Sequence, residues 1–122
     1  MKIIDTSAWV QQIRRQGDPV VKARVNALLG SGQAAWCPLV RVELWAGVRG
    51  DAEREALRAY EQVLPEHAIT DEVWSLACEL GDRARRSGLT FPPADLVIAA
   101  CARHHGLEIE HADAHFDALM TL

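Results

Sequence analysis

Apolar and polar positions follow two different periods along this chain, and the blocks they form predict strands and helices in turn. Lys2–Ile4 sets two β-branched residues side by side, as a short buried strand does. Ala8–Arg15 reads as a short helix. Asp18 then caps a helix with Pro19 at its first position, an inward stripe of Val21, Val25, Leu28 and Leu29, and Gly30 at its end. Ala34–Cys37 predicts a second strand, closed by Pro38. The run LVRVELWAGV reads as a largely buried helix interrupted by Arg41 and Glu43. Asp51 starts a charged helix with Leu57, Tyr60, Val63 and Leu64 inward. Thr70 caps another, with Val73, Leu76, Ala77 and Leu80 on one side and a basic RARR end before Gly88. ADLVIAACARHHG is the most apolar helix, capped near Ala94 or Asp95 and stopped by Gly106. LEIE is a short strand, and HFDALMTL a small final helix. No repeat or linker interrupts the series, so residues 1–122 are expected to form one domain. Strands separated by helices argue for an α/β fold: a three-layer α/β/α sandwich around a mostly parallel sheet.

Composition narrows the classes. At 122 residues the chain is long enough to bury its own core. It is 49% hydrophobic and 25% charged, as globular domains are. No apolar run approaches the ~20 residues that span a bilayer, and Lys2 leads straight into a strand rather than a secretory leader. Cys37, Cys78 and Cys101 are odd in number, far apart and in apolar contexts, so they are expected as reduced core thiols; none shows metal-ligand spacing. A cytoplasmic location and no membrane contact are the expectation. Trp9, Trp36, Trp45 and Trp74 are expected to lie mostly in the core. The net charge of −4 gives no basic field for nucleic acid. That argues against a coating protein, but not against an enzyme whose acidic site is neutralised by metal.

Four acids stand at special places. Asp5 follows the first strand, where it either caps the next helix or lies in the cleft that open α/β sheets form at strand carboxyl ends. Glu43 interrupts an apolar helix whose neighbours Val40, Val42, Leu44 and Trp45 are expected to be buried. An acid there needs a partner such as Arg41 or Arg83, or else a cation. Asp95 opens the apolar helix, where its charge also suits the helix dipole. Asp113 follows the last strand and taken alone reads as a turn residue. Gathered in one cleft, such carboxylates would repel without a metal, and hard oxygen ligands suit Mg²⁺ or Mn²⁺ rather than zinc. The five histidines make a weaker case for a transition-metal site, since adjacent His104 and His105 cannot share a helix face. An aspartyl-phosphate enzyme would carry a second Asp two residues after Asp5, where this chain has Ser7.

The blocks IIDTSAWV, VELWAGV, PADLVIAACARHHG and HADAHF together resemble the PIN-domain ribonucleases, and among them the VapC toxins of bacterial type II toxin–antitoxin pairs. The resemblance covers essentially the whole chain. It implies metal-dependent hydrolysis of RNA phosphodiester bonds, leaving 5′-phosphate and 3′-hydroxyl ends. Asp5, Glu43, Asp95 and Asp113 would be both catalytic residues and metal ligands, with Mg²⁺ as cofactor and Mn²⁺ able to substitute. Ser7 would orient Asp5 or a water. Many relatives carry a further acid two residues after the fourth; His115 stands there, as a residue that orients water or contacts phosphate rather than a ligand, with Asp117 an acidic alternative slightly off register. Arg83, Arg85, Arg86, Arg14 and Arg15 are the candidate phosphate contacts, or else a solvated helix face. Implied partners are an RNA substrate, a small cognate antitoxin, and a second copy in a homodimer and toxin–antitoxin hetero-oligomer. A catalytically inactive domain that only binds a protein is the alternative of another class, and it would not need four acids.

Overall fold

Ile3 and Ile4 are both fully buried. Successive strand residues face opposite sides, so their strand is covered on both. In the computed structural model, which describes residues 1–122, that strand is β1 (Lys2–Ile4). It lies between β2 (Ala34–Ala35) and β3 (Glu108–Glu110), in the order β2-β1-β3. Both neighbours are parallel to it, with Ile3 opposite Ala35 on one side and Ile109 on the other. A single parallel bridge from Trp36 to Glu66 extends the sheet past β2.

Parallel neighbours require helical crossovers. From β1 to β2 the chain runs through α1 (Thr6–Ile13) and α2 (Pro19–Gly30). From β2 to β3 it runs through α3 (Pro38–Ala46), α4 (Gly50–Val63), α5 (Asp71–Arg86) and α6 (Pro93–His104). A short α7 (His115–Leu119) follows β3. The turn between α1 and α2 depends on Gly17, where a Cβ would fall 1.8 Å from the Gln11 carbonyl oxygen. In α6, Val97 through Ala102 are all buried, as in a helix packed on every side; α5, α3, α7 and β3 surround it. Because the strands are parallel, Asp5, Trp36 and His111 leave the sheet at one common edge.

The elements come in the predicted order, and the sheet is wholly parallel. Several faces differ from expectation. Val63 is exposed because it lies about 120° around α4 from buried Leu57, whereas Leu64 lies near the same line. Val42 is exposed for the same reason, on the opposite side of α3 from Val40. Trp74 and Cys78 each stand one step beyond the buried stripe of Val73, Ala77, Leu80 and Ala84. Trp74 is therefore 51% exposed, and Cys78 is a surface thiol while Cys37 and Cys101 are buried. Trp9 and Trp36 are core; Trp45 is half-buried, its indole N–H donating to Glu61 at 3.1 Å. Helix α1 begins at Thr6, two residues early, and α6 at Pro93 with no side-chain cap. No helix is long and apolar enough to cross a membrane.

Candidate active site

Asp5 caps a helix and also lies within reach of two other acids, Glu43 and Asp95. Its backbone N–H donates to Glu110 at 2.8 Å, extending the β1–β3 ladder by one bond. It is the N-cap of α1: Oδ2 accepts from the Ser7 N–H at 3.0 Å and from the Ser7 hydroxyl at 2.6 Å. The Ser7 oxygen in turn accepts from the Ala112 N–H at 3.0 Å. Ser7 thus ties the end of β1 to the loop that carries Asp113. Capping through Oδ2 fixes the carboxylate's direction and leaves Oδ1 without a protein donor.

The other three acids come from separate elements. Glu43 projects from the middle of α3, and the Thr6 hydroxyl donates to its Oε1 at 2.7 Å. Neither arginine named for it is available. Arg41 pairs with Glu66 at 2.6 Å and with Glu61 at 3.7 Å, and Arg83 with Glu79 at 3.7 Å. Asp95 sits in the first turn of α6. Asp113 lies between β3 and α7, its Oδ1 accepting from the His115 N–H at 2.9 Å. The His115 Nδ1 stands 3.4 Å from both Asp95 Oδ2 and Asp113 Oδ1. One ligand atom from each of Asp95, Asp113 and His115 lies within 4.8 Å of the others.

Charge links the four acids through Asp5 and Asp95. Burial pushes the Glu43 carboxyl above the ordinary range; Asp5 and Asp95 push it further, against the Thr6 hydrogen bond. Burial likewise raises Asp95, and the charges of Asp5 and Asp113 add to it while His115 opposes them. Each of these two acids therefore feels two others. No lysine or arginine forms an ion pair with any of the four. Asp5 is only 4% exposed, and its Oδ1 has no hydrogen-bond donor from the protein. A cluster of carboxylate oxygens with no lysine or arginine to neutralise it is the donor set that hard dications require. The residues present fit such an ion.

Comparison with known proteins shows the family. The model of the PIN domain matches residues 2–120. The chain belongs to the PIN-domain family. This PIN domain is 34% identical to Ribonuclease VapC11 of Mycobacterium tuberculosis, across 100% of this chain and 93% of that protein. It is 30% identical to Ribonuclease VapC21 of the same species, across 85% and 78%. Its relatives make it a PIN domain of the VapC type. Among solved structures, a FitAB complex bound to an IR36 DNA fragment superposes with a TM-score of 0.82 at 18% identity, covering 100% of this chain and 92% of that one. M. tuberculosis VapC20, described as a sarcin–ricin loop cleaving toxin, superposes at 0.74 and 21% identity, covering 97% and 94%. At these identities the superpositions speak for the fold, an α/β sandwich.

The remaining site candidates of this PIN domain are scattered. Arg14 lines a small cavity with Glu43, Val10, Ile13, Leu44 and Leu57, while Arg15 is exposed. Arg83, Arg85 and Arg86 end α5, one short loop before Asp95. Arg83 and Arg86 form pairs one turn apart with Glu79 and Asp82, so they are at least partly a solvated face. Asp117 turns away from the cluster, its Oδ1 3.3 Å from His111 Nε2. Two contributors escaped sequence reading. Thr6 looks like part of a capping run, and only the tertiary fold brings Glu43 to it. His111 accepts the Asp113 N–H on Nδ1 at 3.3 Å, and a lone histidine after a strand carries no signal of that role.

Proposed function

We propose that residues 1–122 are one nuclease domain, a metal-dependent endoribonuclease that acts as the toxin of a toxin–antitoxin pair. The observation that carries this reading is the convergence of Asp5, Glu43, Asp95 and Asp113, from four separate segments, with no lysine or arginine paired to any of them and only the His115 imidazole beside Asp95 and Asp113. The names of its relatives as VapC ribonucleases supply the substrate class.

The four carboxylates would hold Mg²⁺ or Mn²⁺. Such an ion would supply positive charge to neutralise the scissile phosphate and to activate a water for attack. The protein's own part is to hold the donors still. Ser7 fixes Asp5, Thr6 fixes Glu43, and the His115 N–H fixes Asp113, so the donor set needs little reorganisation when charge develops. Arg14, which lines a cavity with Glu43, and the arginines ending α5 are the candidates for phosphates flanking the cut. Since water is the nucleophile, preference for RNA rests on shape and on bases presented in loops.

Purified protein should cleave total cellular RNA with Mg²⁺ or Mn²⁺ and stop with EDTA. Asp5→Asn and Asp95→Asn should each abolish cleavage with the circular dichroism spectrum unchanged. Undiminished cleavage by either variant would refute the site.

We also infer a small antitoxin as partner and a homodimer as the working state. Solved structures of similar fold include VapBC2 of Rickettsia felis bound to promoter DNA. The small cavity where Val10, Ile13, Leu44 and Leu57 meet Glu43 and Glu53 suits one apolar side chain of such a partner, with a cation of the same segment beside the acids. Expression alone should be toxic, and co-expression of the adjacent small gene should relieve it. Harmless expression with no small protein co-purifying would overturn this assignment.

A further inference from the structure

We propose that His115 is a metal ligand, and that with Asp95 and Asp113 it makes this site select a first-row transition dication over Mg²⁺. The inference rests on the nuclease reading above and concerns which ion its site holds. Three observations carry it. The first is position. His115 Nδ1 is 3.4 Å from Asp95 Oδ2 and 3.4 Å from Asp113 Oδ1. That is long for a good hydrogen bond to either. It matches the ~3.0–3.4 Å between neighbouring ligand atoms around a dication with bonds near 2.1 Å.

The second is orientation. The ring is held from two sides, edge-on to Phe91 with centroids 6.0 Å apart and by its backbone N–H on Asp113 Oδ1. The same Asp113 oxygen therefore faces both the backbone and the imidazole of His115, and Nδ1 points at the carboxylates rather than into solvent. The third is an unused donor near enough for its charge to act on Asp95. Asp5 is nine-tenths buried beside this cluster, with Oδ1 lacking any protein donor. Glu110, the other buried acid, is paired with Lys2 and Arg24.

The consequence follows from ligand chemistry. Mg²⁺ is hard, sheds water reluctantly and prefers oxygen. An imidazole nitrogen adds little to its affinity and more to that of ions further along the series from Mn²⁺ to Co²⁺. A carboxylate in place of His115 would restore an all-oxygen set and remove the discrimination.

The test uses Mg²⁺, Mn²⁺ and Co²⁺ singly as probes, titrated calorimetrically into the full chain freed of metal. His115 is half exposed, so His115→Asp should fold, as a thermal melt in EDTA checks. The parent should bind Co²⁺ at least tenfold more tightly than Mg²⁺. His115→Asp should raise the Co²⁺ Kd about tenfold or more and leave the Mg²⁺ Kd unchanged or lower. Pulsed EPR of bound Mn²⁺ should show nitrogen coupling in the parent and in His111→Asn, and none in His115→Asp. Dication binding without nitrogen coupling, or equal changes for Co²⁺ and Mg²⁺, overturns the inference and leaves the nuclease reading standing. A parent that binds no dication overturns both.

Discussion

Replacing Asp5 separates its two duties, because Asn and Ala remove different things. Asn keeps an oxygen that can accept the Ser7 N–H and hydroxyl, and it caps helices as well as Asp does. It removes one charge from a set in which Glu43 and Asp95 both feel Asp5. Ala removes charge and cap together. In EDTA the Asp5→Asn variant should therefore melt at or above the parent. Asp5→Ala should melt below Asp5→Asn by the cap's worth, about 1 kcal/mol, or ~4 °C in a chain of this length. Adding Mn²⁺ at a hundred times its Kd should stabilise the parent by ~2.7 kcal/mol, roughly 10 °C at that conversion. Both variants should gain far less, having lost a charged ligand. Thermal melts of three proteins in two buffers give the six numbers needed. A parent indifferent to dications, with Asp5→Asn several degrees less stable in EDTA, would refute the cluster and leave Asp5 a cap alone.

The raised carboxyls of Glu43 and Asp95 set a pH dependence. The native state holds these protons more tightly than the unfolded chain, so without metal their contribution favours folding at low pH and is lost as pH rises through the raised values. The stability gap between the parent and the Glu43→Gln/Asp95→Asn double variant, followed between about pH 4 and pH 7 in EDTA, should widen to the parent's disadvantage, and saturating metal should close it. A gap independent of pH would contradict the cluster. Thr6→Val removes the only hydrogen bond that holds Glu43 and should cost about 1–2 kcal/mol and weaken Mn²⁺ binding severalfold, while Thr6→Ser should restore both. Calorimetry on the three proteins checks this, and equal affinities would remove Thr6 from the site.

Elements were legible where a stripe was long or a cap explicit. Asp18 with Pro19, and Thr70, mark helix starts that the structure keeps. Faces were less legible in α3, where apolar residues occur on all sides over nine positions and Val42 cannot be told from Val40 without knowing the neighbour. Cys78 and Trp74 were misplaced because one step along a helix is a 100° turn, enough to leave a narrow stripe. The four acids were legible as oddities, each a charge where an apolar or turn residue would be cheaper. What linked them was tertiary. The Ser7–Ala112 and Thr6–Glu43 bonds join residues 105 and 37 positions apart, distances over which no local pattern carries information. Cap and cleft are rivals at Asp5 only locally, since a carboxylate has two oxygens and the cap occupies Oδ2 alone.

The pairing of β1 with β3 has a bearing on when activity can begin. The central strand is made from residues 2–4 and its neighbour from residues 108–110, so an elongating chain carries Asp5, Glu43 and Asp95 well before the strand that completes the cleft is free. Until residues 108–113 emerge, β1 lacks one flank, Ser7 lacks the Ala112 N–H, and the Asp113 corner does not exist. Contacts of such separation form late, after a large loop has closed. The acidic site of this PIN domain is thereby incomplete until its last strand has been made and has docked, by strand order alone.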